Sequence, residues 1–335
     1  MTYHLRYTAA SDVGLVRKNN EDSAYAGPHL VAVADGVGGN VAGEVASAAT
    51  ISILATVDRA LPVDGMTSVL RATFENADET IRGLIEAEPA LSGMGTTLTA
   101  LLYSEGTFCL GHVGDSRAYR LRDGEFVQMS RDHTFVQTLV DEGKITREEA
   151  TVHPQRSLIM QSVNGCGDIR PDLQRYDARV GDRWLLCSDG LTDYVAIEEI
   201  TETVAGIEDV DELAARLVIL ANAGGGVDNV ACVVADVVDT APDDQRPVIV
   251  GAAHEPPDEL VGRAADIFTP VPHRVGAIPP GPVFPRSRSD ARHLARGKAG
   301  LAGSPNVSGY GRTHDGDPSL PRTSAPIGKA APALP

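Results

Sequence analysis

The sequence predicts a layered α+β domain in which helices lie outside two stacked antiparallel sheets. One observation is a set of short apolar runs rich in β-branched residues, several joined by tight turns, which is typical of antiparallel strands. A second is that amphipathic or almost uncharged helical segments separate these runs and must pack against a sheet. The sequence also contains no internal repeat that would indicate a solenoid or propeller.

The strands are predicted from apolar runs bounded by turn residues. A three-residue turn, Ser104 to Gly106, joins the second run to the third, and Asp123-Gly124 forms the turn of a further hairpin. The predicted strand regions are LVAVAD (30–35), TLTALLY (97–103), TFCLGHV (107–113), RAYRLRDGEFVQM (117–129), RWLLCSD (183–189) and NVACVVADV (229–237).

Three helices are predicted from the spacing of apolar residues. Residues 41–57 carry a single charge, Glu44, so this helix should be buried nearly all round. Two other segments have an apolar stripe on one side, and the second of them ends at three successive glycines. The two stripes are Leu70, Phe74, Ala77, Ile81, Leu84 and Ile85, and then Leu213, Leu217 and Leu220.

Composition divides the chain into a domain at residues 1–240 and a tail at residues 241–335. Sixteen of the 21 prolines follow residue 240, in segments without periodicity, so we expect the tail to be disordered. The domain carries 18 Lys+Arg against 37 Asp+Glu, and the whole chain has a net charge of −17. Such a domain repels nucleic acid and anionic membranes, because that binding depends on basic groups. Its carboxylates can instead gather metal.

The sequence further indicates a cytoplasmic protein, which we expect to be a monomer. The N-terminus has no apolar signal core, and no stretch approaches the roughly 18 apolar residues of a membrane span. Cys109, Cys166, Cys187 and Cys232 show no paired spacing for zinc, and three of them lie in apolar runs. Reduced thiols are therefore expected.

Acidic residues flank four of the apolar strands. Asp35, Asp115 and Asp189 each follow a strand, and Asp228 immediately precedes one. A single aspartate at a strand end is usually a turn or cap residue. Four of them can converge at one rim of a sheet, where they repel one another. This arrangement becomes favourable when divalent cations lie between them. Oxygen-only ligands suit Mg²⁺ and Mn²⁺.

Eight ordered blocks in residues 5–238 resemble the PPM family, the metal-dependent serine/threonine protein phosphatases of type 2C, in its bacterial branch. The match is specific because the blocks recur in order over the whole domain. They include SDVGLVRKNNEDSAYAG (11–27), VAVADGVGGNVAGEVAS (31–47), GMGTTLTALL (93–102), GHVGDSRAYRLRDGE (111–125), DHTFVQTLVDEGKIT (132–146), LLCSDGLTDYV (185–195) and GGGVDNVACVVADV (224–237).

The resemblance implies a four-layer sandwich, with two central antiparallel sheets and helices on both outer faces. It also implies two core Mn²⁺ or Mg²⁺ ions bridged by a water. By motif match, Asp35 is the carboxylate that bridges the ions, and the Gly36 carbonyl is a ligand of one of them. Asp189 and Asp228 match ligands of the other ion.

Further site residues are implied by the same blocks. Glu21 and Asp22 match acidic residues that hold metal-bound waters. Asp115 matches the ligand of a third, weaker metal site of bacterial members, with Asp189 and Ser157 beside it.

Phosphate binding and substrate choice are assigned to other residues. Arg17 matches the residue that grips the phosphate, and a planar guanidinium can do so through two parallel hydrogen bonds. Many eukaryotic members place a histidine, a proposed general acid, where this chain has Val37. His112 and His133 are alternatives, but each fits a local hydrogen-bonding role better. Residues 141–170 correspond to the flap beside the site.

The expected function is hydrolysis of phosphoserine and phosphothreonine in proteins, in opposition to serine/threonine protein kinases. A thiol-based phosphatase is excluded, because none of the four cysteines has an arginine six residues later. Two alternatives stay open. One is a phosphatase restricted to phosphorylated anti-sigma antagonist proteins, and the other is a pseudophosphatase that only binds.

Overall fold

The computed structural model describes residues 3–38, 42–243 and 245–254, and its strands form two antiparallel sheets. One sheet has the strand order β1-β11-β10-β7-β8, and the other has the order β12-β2-β3-β5-β6-β9, with β4 paired to β3. The strands are β1 (His4–Asp12), β2 (Asp22–Ala26), β3 (Leu30–Val37), β4 (Gly95–Thr96), β5 (Leu98–Ser104), β6 (Thr107–Val113), β7 (Arg117–Arg122), β8 (Glu125–Gln128), β9 (Asp172–Asp177), β10 (Arg183–Cys187), β11 (Val230–Val238) and β12 (Val248–Gly251).

Helices cover the outer faces of both sheets and form the flap. One apolar core lies between the two sheets, and two further cores lie between each sheet and its own helices. This arrangement confirms the predicted four-layer sandwich. The α-helices of the described residues are α1 (Gly43–Ala55), α2 (Val63–Ala87), α3 (Phe135–Asp141), α4 (Arg147–Thr151), α5 (Asp189–Thr192), α6 (Ile197–Gly206) and α7 (Val210–Ala223).

The helices pack as their sequences predict. Helix α1 is buried on nearly every side, because it packs against both the sheet and α2 and carries no charge beyond Glu44. Helix α2 buries Leu70, Phe74, Ala77 and Ile81 of the predicted stripe, and its last two residues, Leu84 and Ile85, are partly buried. Helix α7 begins with a side-chain cap, in which the Glu212 N–H donates to Asp209 Oδ1 over 2.8 Å. No helix in the described parts of the chain is long and apolar enough to cross a membrane.

The domain extends beyond the predicted boundary at residue 240. Strand β12 pairs with β2, in a register that sets Val248 opposite Ala26 and Gly251 opposite Ser23. Proline-rich composition concealed this four-residue edge strand, whose position after Pro247 is one that a sheet edge tolerates. Residues 255–335 of the predicted tail lie outside the described residues.

Removing β12 should destabilise the domain, because Val248 and Val250 are buried and the Ala252 N–H donates to the Asp22 carbonyl over 2.8 Å. A chain ending at residue 240 should lose at least about 3 kcal/mol of unfolding free energy relative to one ending at residue 254. Urea denaturation of both chains measures the difference. Equal midpoints would show that β12 contributes nothing.

Candidate metal centre

The structure gathers the predicted strand-end carboxylates at one rim of the sandwich. Asp35 lies near the end of β3, and Asp22, the first residue of β2, is its register partner. Asp189 begins α5 directly after β10, while Asp228 precedes β11 and Asp115 follows β6. Each of the other four carboxylates is near enough for its charge to raise the pKa of Asp35.

Burial and mutual repulsion both oppose ionisation of these acids. Burial is the larger cause in each case, and neighbouring carboxylates add to it. The pKa of Asp22 is raised to about 7, that of Asp115 to about 8 and that of Asp189 to about 6. The pKa of Asp35 is raised well above its usual value. This rim therefore has too little positive charge to offset the charges of its carboxylates.

The main chain of Asp35 is held by two threonines of the neighbouring strand region. Its N–H donates to Thr97 Oγ1 over 3.0 Å, and its carbonyl accepts from the Thr97 N–H and from Thr96 Oγ1. At Gly36, a Cβ atom would lie 2.5 Å from the Gly43 carbonyl, so only glycine lets α1 approach this closely. These contacts fix the backbone from which the Asp35 carboxylate and the Gly36 carbonyl are presented.

Two buried polar residues that the sequence analysis did not identify organise the same rim. Asn229 accepts from the Glu21 N–H and donates to the carbonyls of Val13 and Asn19, each over 2.8 or 2.9 Å. Ser188 donates to Asp22 Oδ2 over 2.7 Å. Both residues adjoin predicted ligands in sequence, and that adjacency is the only signal that could have identified them.

Arg17 lies at the outer edge of the carboxylate group. Its Nη2 is 2.9 Å from the Asp228 carboxylate, and both side chains are partly exposed. Glu21 is half-buried nearby, and burial followed by the charge of Glu44 raises its pKa. The predicted phosphate-binding residue therefore stands beside a predicted metal ligand and faces solvent.

Asp115, Asp189 and Ser157, the residues predicted for the third site, line one cleft. The cleft has a volume of about 660 Å³ and runs between the flap and α6. Arg117 also lines it, and holds Asp132 through three hydrogen bonds of 2.7 to 3.1 Å. Ser157 lies on the exposed flap, so its distance from this site depends on the position of the flap.

The two histidines considered as general acids are buried behind the Asp115 loop. His112 Nδ1 is 2.9 Å from Thr99 Oγ1, and burial, together with His133, lowers its pKa to about 4. His133 Nδ1 accepts from the Gly114 N–H. Both residues therefore make the local hydrogen bonds that the sequence favoured.

The donor atoms at the rim suit a hard divalent cation. They are carboxylate and carbonyl oxygens, and Asp115 Oδ1 is buried with no hydrogen-bond partner among the described residues. As the side chains stand, no group of three or more His, Cys, Asp and Glu residues in the described part of the chain is arranged to hold a metal ion.

Comparisons with known proteins give one consistent result. The family model described as protein phosphatase 2C matches residues 18–221. The chain is 49% identical over 301 residues to the serine/threonine protein phosphatase PstP of Mycobacterium tuberculosis, an alignment that covers 88% of this chain and 58% of that protein. The chain thus spans little more than half the length of the first curated relatives that it matches.

Solved structures match over the domain. A crystal structure of the M. tuberculosis phosphatase PstP/Ppp has a TM-score of 0.68 and 54% identity, and covers 70% of this chain and 99% of that one. A structure of the PstP catalytic domain in complex with two manganese ions has a TM-score of 0.67 and 53% identity, covering 71% of this chain and 100% of that one.

The raised pKa values predict how stability depends on pH when a chelator is present. Asp22, Asp115 and Asp189 bind protons more tightly in the folded chain than at the unfolded value of about 3.9. Their contribution to stability is complete below that value and is lost as pH rises through 6 to 8. A loss of about 2 kcal/mol would lower Tm by roughly 4 to 8 °C between pH 5 and pH 9.

Calorimetry in EDTA measures this change, and a divalent cation should restore more of the Tm at pH 9 than at pH 5. Asp115→Asn, which cannot ionise, should flatten the profile. A Tm that rises with pH in EDTA would contradict the assignment.

Proposed function

Because the chain belongs to the protein phosphatase 2C family, we propose that it is a metal-dependent protein phosphatase that hydrolyses phosphoserine and phosphothreonine. The observation that carries this proposal is the convergence of buried carboxylates at the rim, where each raises the pKa of another. Such a group is poorly suited to bind a phosphate by itself. It becomes suitable when divalent cations reverse its charge.

In this proposal the rim holds two Mn²⁺ or Mg²⁺ ions. Asp35, the Gly36 carbonyl, Asp189 and Asp228 are the direct ligands, and Glu21 and Asp22 hold coordinated waters. When bound, the ions supply a bridging water activated for attack on phosphorus and neutralise charge on the phosphoryl oxygens. The manganese complex of the PstP catalytic domain supports this choice of metal.

A third and weaker ion is proposed beside the first two. Asp115 and Asp189 would hold it, with Ser157 contributing from the flap. The unpartnered Oδ1 of Asp115 supports this assignment, because a buried acceptor without a donor is costly unless a cation satisfies it.

Arg17 is proposed to grip the substrate phosphate. Its guanidinium now neutralises Asp228 over 2.9 Å, and it is exposed enough to turn outward. A cation on Asp228 would remove the charge that holds Arg17 and leave its N–H groups to the phosphate. The same arginine would then serve the site in two successive arrangements.

The proposed substrates are phosphorylated proteins, and the chain would oppose the serine/threonine kinases that make them. The relatives named as serine/threonine phosphatases support this class. We place the domain in the cytoplasm as a monomer, which agrees with its four free cysteines. Neither nucleic acid nor anionic membrane is a proposed partner, since the chain carries a net charge of −17.

Two alternative functions are weaker. A pseudophosphatase would lack metal carboxylates, whereas all the predicted core acids are present. A phosphatase restricted to anti-sigma antagonists would be separated from the general type by assaying several phosphoproteins, including such an antagonist. Mn²⁺-dependent hydrolysis of p-nitrophenyl phosphate and of phosphopeptides tests the proposal itself, and no turnover by pure, folded protein would reject it.

Asp35→Asn and Asp189→Asn should each reduce Mn²⁺-dependent turnover at least about a thousandfold, because each variant removes a core ligand. Neither should lower Tm in EDTA, since each removes a buried charge that its neighbours repel. Asp123→Asn, at the exposed hairpin turn with a φ of 53°, is the matched control and should keep full activity. Kinetics with p-nitrophenyl phosphate measure turnover, and calorimetry measures Tm. Retention of activity in the two ligand variants would contradict the site assignment.

Arg17→Ala should raise KM for p-nitrophenyl phosphate and lower kcat/KM by roughly tenfold to a hundredfold, the loss expected for charge-assisted hydrogen bonds. Stability should barely change, since exposed ion pairs contribute about 0 to 1 kcal/mol. Arg6→Ala is the matched control, because the side chains of Arg6 and Arg17 are 46% and 44% exposed and each pairs with an aspartate. Equal kinetic effects of the two substitutions would exclude a specific role for Arg17.

A further inference from the structure

His133 holds the residue before Asp115 from two sides. Its backbone N–H donates to the Gly114 carbonyl over 2.7 Å, and its Nδ1 accepts from the Gly114 N–H over 3.2 Å. Gly114 has a φ of +109°, and a Cβ there would lie 2.6 Å from Thr97 Cβ. No other residue can take this conformation without strain. Both backbone polar groups of this glycine are hydrogen-bonded to His133.

Asp115 is positioned through its neighbours rather than through its own carboxyl group. Its Oδ1 has no hydrogen bond among the described residues. On its other side, Ser116 is held by Thr97 Oγ1 at 2.7 Å and by Thr99 Oγ1, which donates to the Ser116 carbonyl over 3.0 Å. Gly114 and Ser116 thus fix the loop, and His133 supplies one of its two anchors.

The same short segment also carries one side of the flap. The His133 carbonyl accepts from the Met160 N–H over 2.7 Å, and the Phe135 N–H donates to the Leu158 carbonyl over 2.9 Å. Leu158 and Met160 are 44% and 58% exposed, so burial does not hold them. These backbone hydrogen bonds therefore hold the part of the flap that follows Ser157.

The hydrogen bonds also identify which ring nitrogen of His133 contacts the Asp115 loop. Because Nδ1 accepts from the Gly114 N–H, the proton of the neutral ring lies on Nε2, which is 3.2 Å from Asp172 Oδ2. The Asp172 side chain is 61% exposed, so this second contact is weak. The Nδ1 atom is the one that joins the ring to the Asp115 loop.

We propose that His133 is a positioning residue that couples the flap to Asp115, so that the placement of the flap and the placement of this carboxylate depend on each other. The proposal rests on the proposed function for the role of Asp115. Through His133, a phosphoprotein that contacts the flap would bring Asp115 and Ser157 into one arrangement. Substrate binding and completion of the site would then be linked by a single residue.

Two substitutions separate the two ring nitrogens. His133→Asn places an oxygen where Nδ1 lies and keeps the acceptor for the Gly114 N–H, whereas His133→Gln places an amide nitrogen near Nε2 and loses that acceptor. Hydrogen exchange of the full chain, followed by mass spectrometry, should show faster exchange by about tenfold at both 113–116 and 157–160 in the glutamine variant. The asparagine variant should stay within about threefold of the parent at both segments.

Kinetics give an independent result. With a phosphothreonine peptide and MnCl₂, kcat/KM should fall about tenfold in the glutamine variant and at most about threefold in the asparagine variant, a pattern that a general loss of packing would not give. His153→Gln is the matched control, because His153 Nδ1 accepts from the Gln155 N–H within the flap itself. It should speed exchange near residue 155 and leave both 113–116 and 157–160 unchanged.

The coupling would be disproved if the asparagine and glutamine variants behaved alike, or if exchange in the glutamine variant rose in only one of the two segments. Exchange is measured whether or not the chain hydrolyses phosphate. An inactive parent protein would therefore reject the proposed function, while exchange would still decide the coupling.

Discussion

The repulsion among buried carboxylates at the rim is the constraint that the rest of the structure must satisfy. Burial alone raises the pKa of Asp35 and its neighbours, and their charges raise it further. The strands that carry these acids cannot separate to relieve the repulsion, because β3 and β10 are buried between layers of the sandwich. Relief must come from protons or cations, so the burial of these acids gives the rim an affinity for positive charge.

Neutral side chains do most of the positioning at this rim. Thr97 forms hydrogen bonds with the Asp35 backbone and with Ser116. Asn229 forms hydrogen bonds with three backbone groups of the loop that leads to Glu21. A lysine or arginine in either position would partly neutralise the acids and compete with any ion that they bind. Uncharged hydrogen-bonding residues fix the main chain and leave the charge of the site unchanged.

The sequence predicted those features that depend on local pattern. The apolar run at 107–113 coincides with β6, and the runs of β3 and β10 end within about two residues of their predicted limits. Strand β9 could not be predicted in this way, because its sequence DLQRYD is largely exposed and becomes a strand only by pairing with β6. Pairing between distant segments leaves no signal in either segment alone.

The candidate site shows the same division. Aspartates after apolar strands stand out, because a charge ends a buried run, and the structure brings Asp35, Asp115 and Asp189 together. Ser188 and Asn229 are ordinary polar residues in the sequence, and their importance comes from being buried against groups far away in the chain. Their roles follow from the fold, because adjacency to a predicted ligand is their only signal in the sequence.

The two walls of the cleft differ in what holds them in place. The rim is built from buried strands, whereas the flap consists of exposed segments and the short helix α4, which has no buried residue. A helix of five residues has little stability of its own. Arg156 lies 4.0 Å from Asp193, and such an exposed ion pair contributes little to the unfolding free energy. Flap residues that do not contact the rim can therefore vary without disturbing the carboxylates, whereas His133, outside the flap, contacts both Gly114 and Met160. A change of the His133 side chain removes one anchor of the Asp115 loop and leaves the contacts of Thr97 and Thr99 with Ser116 in place.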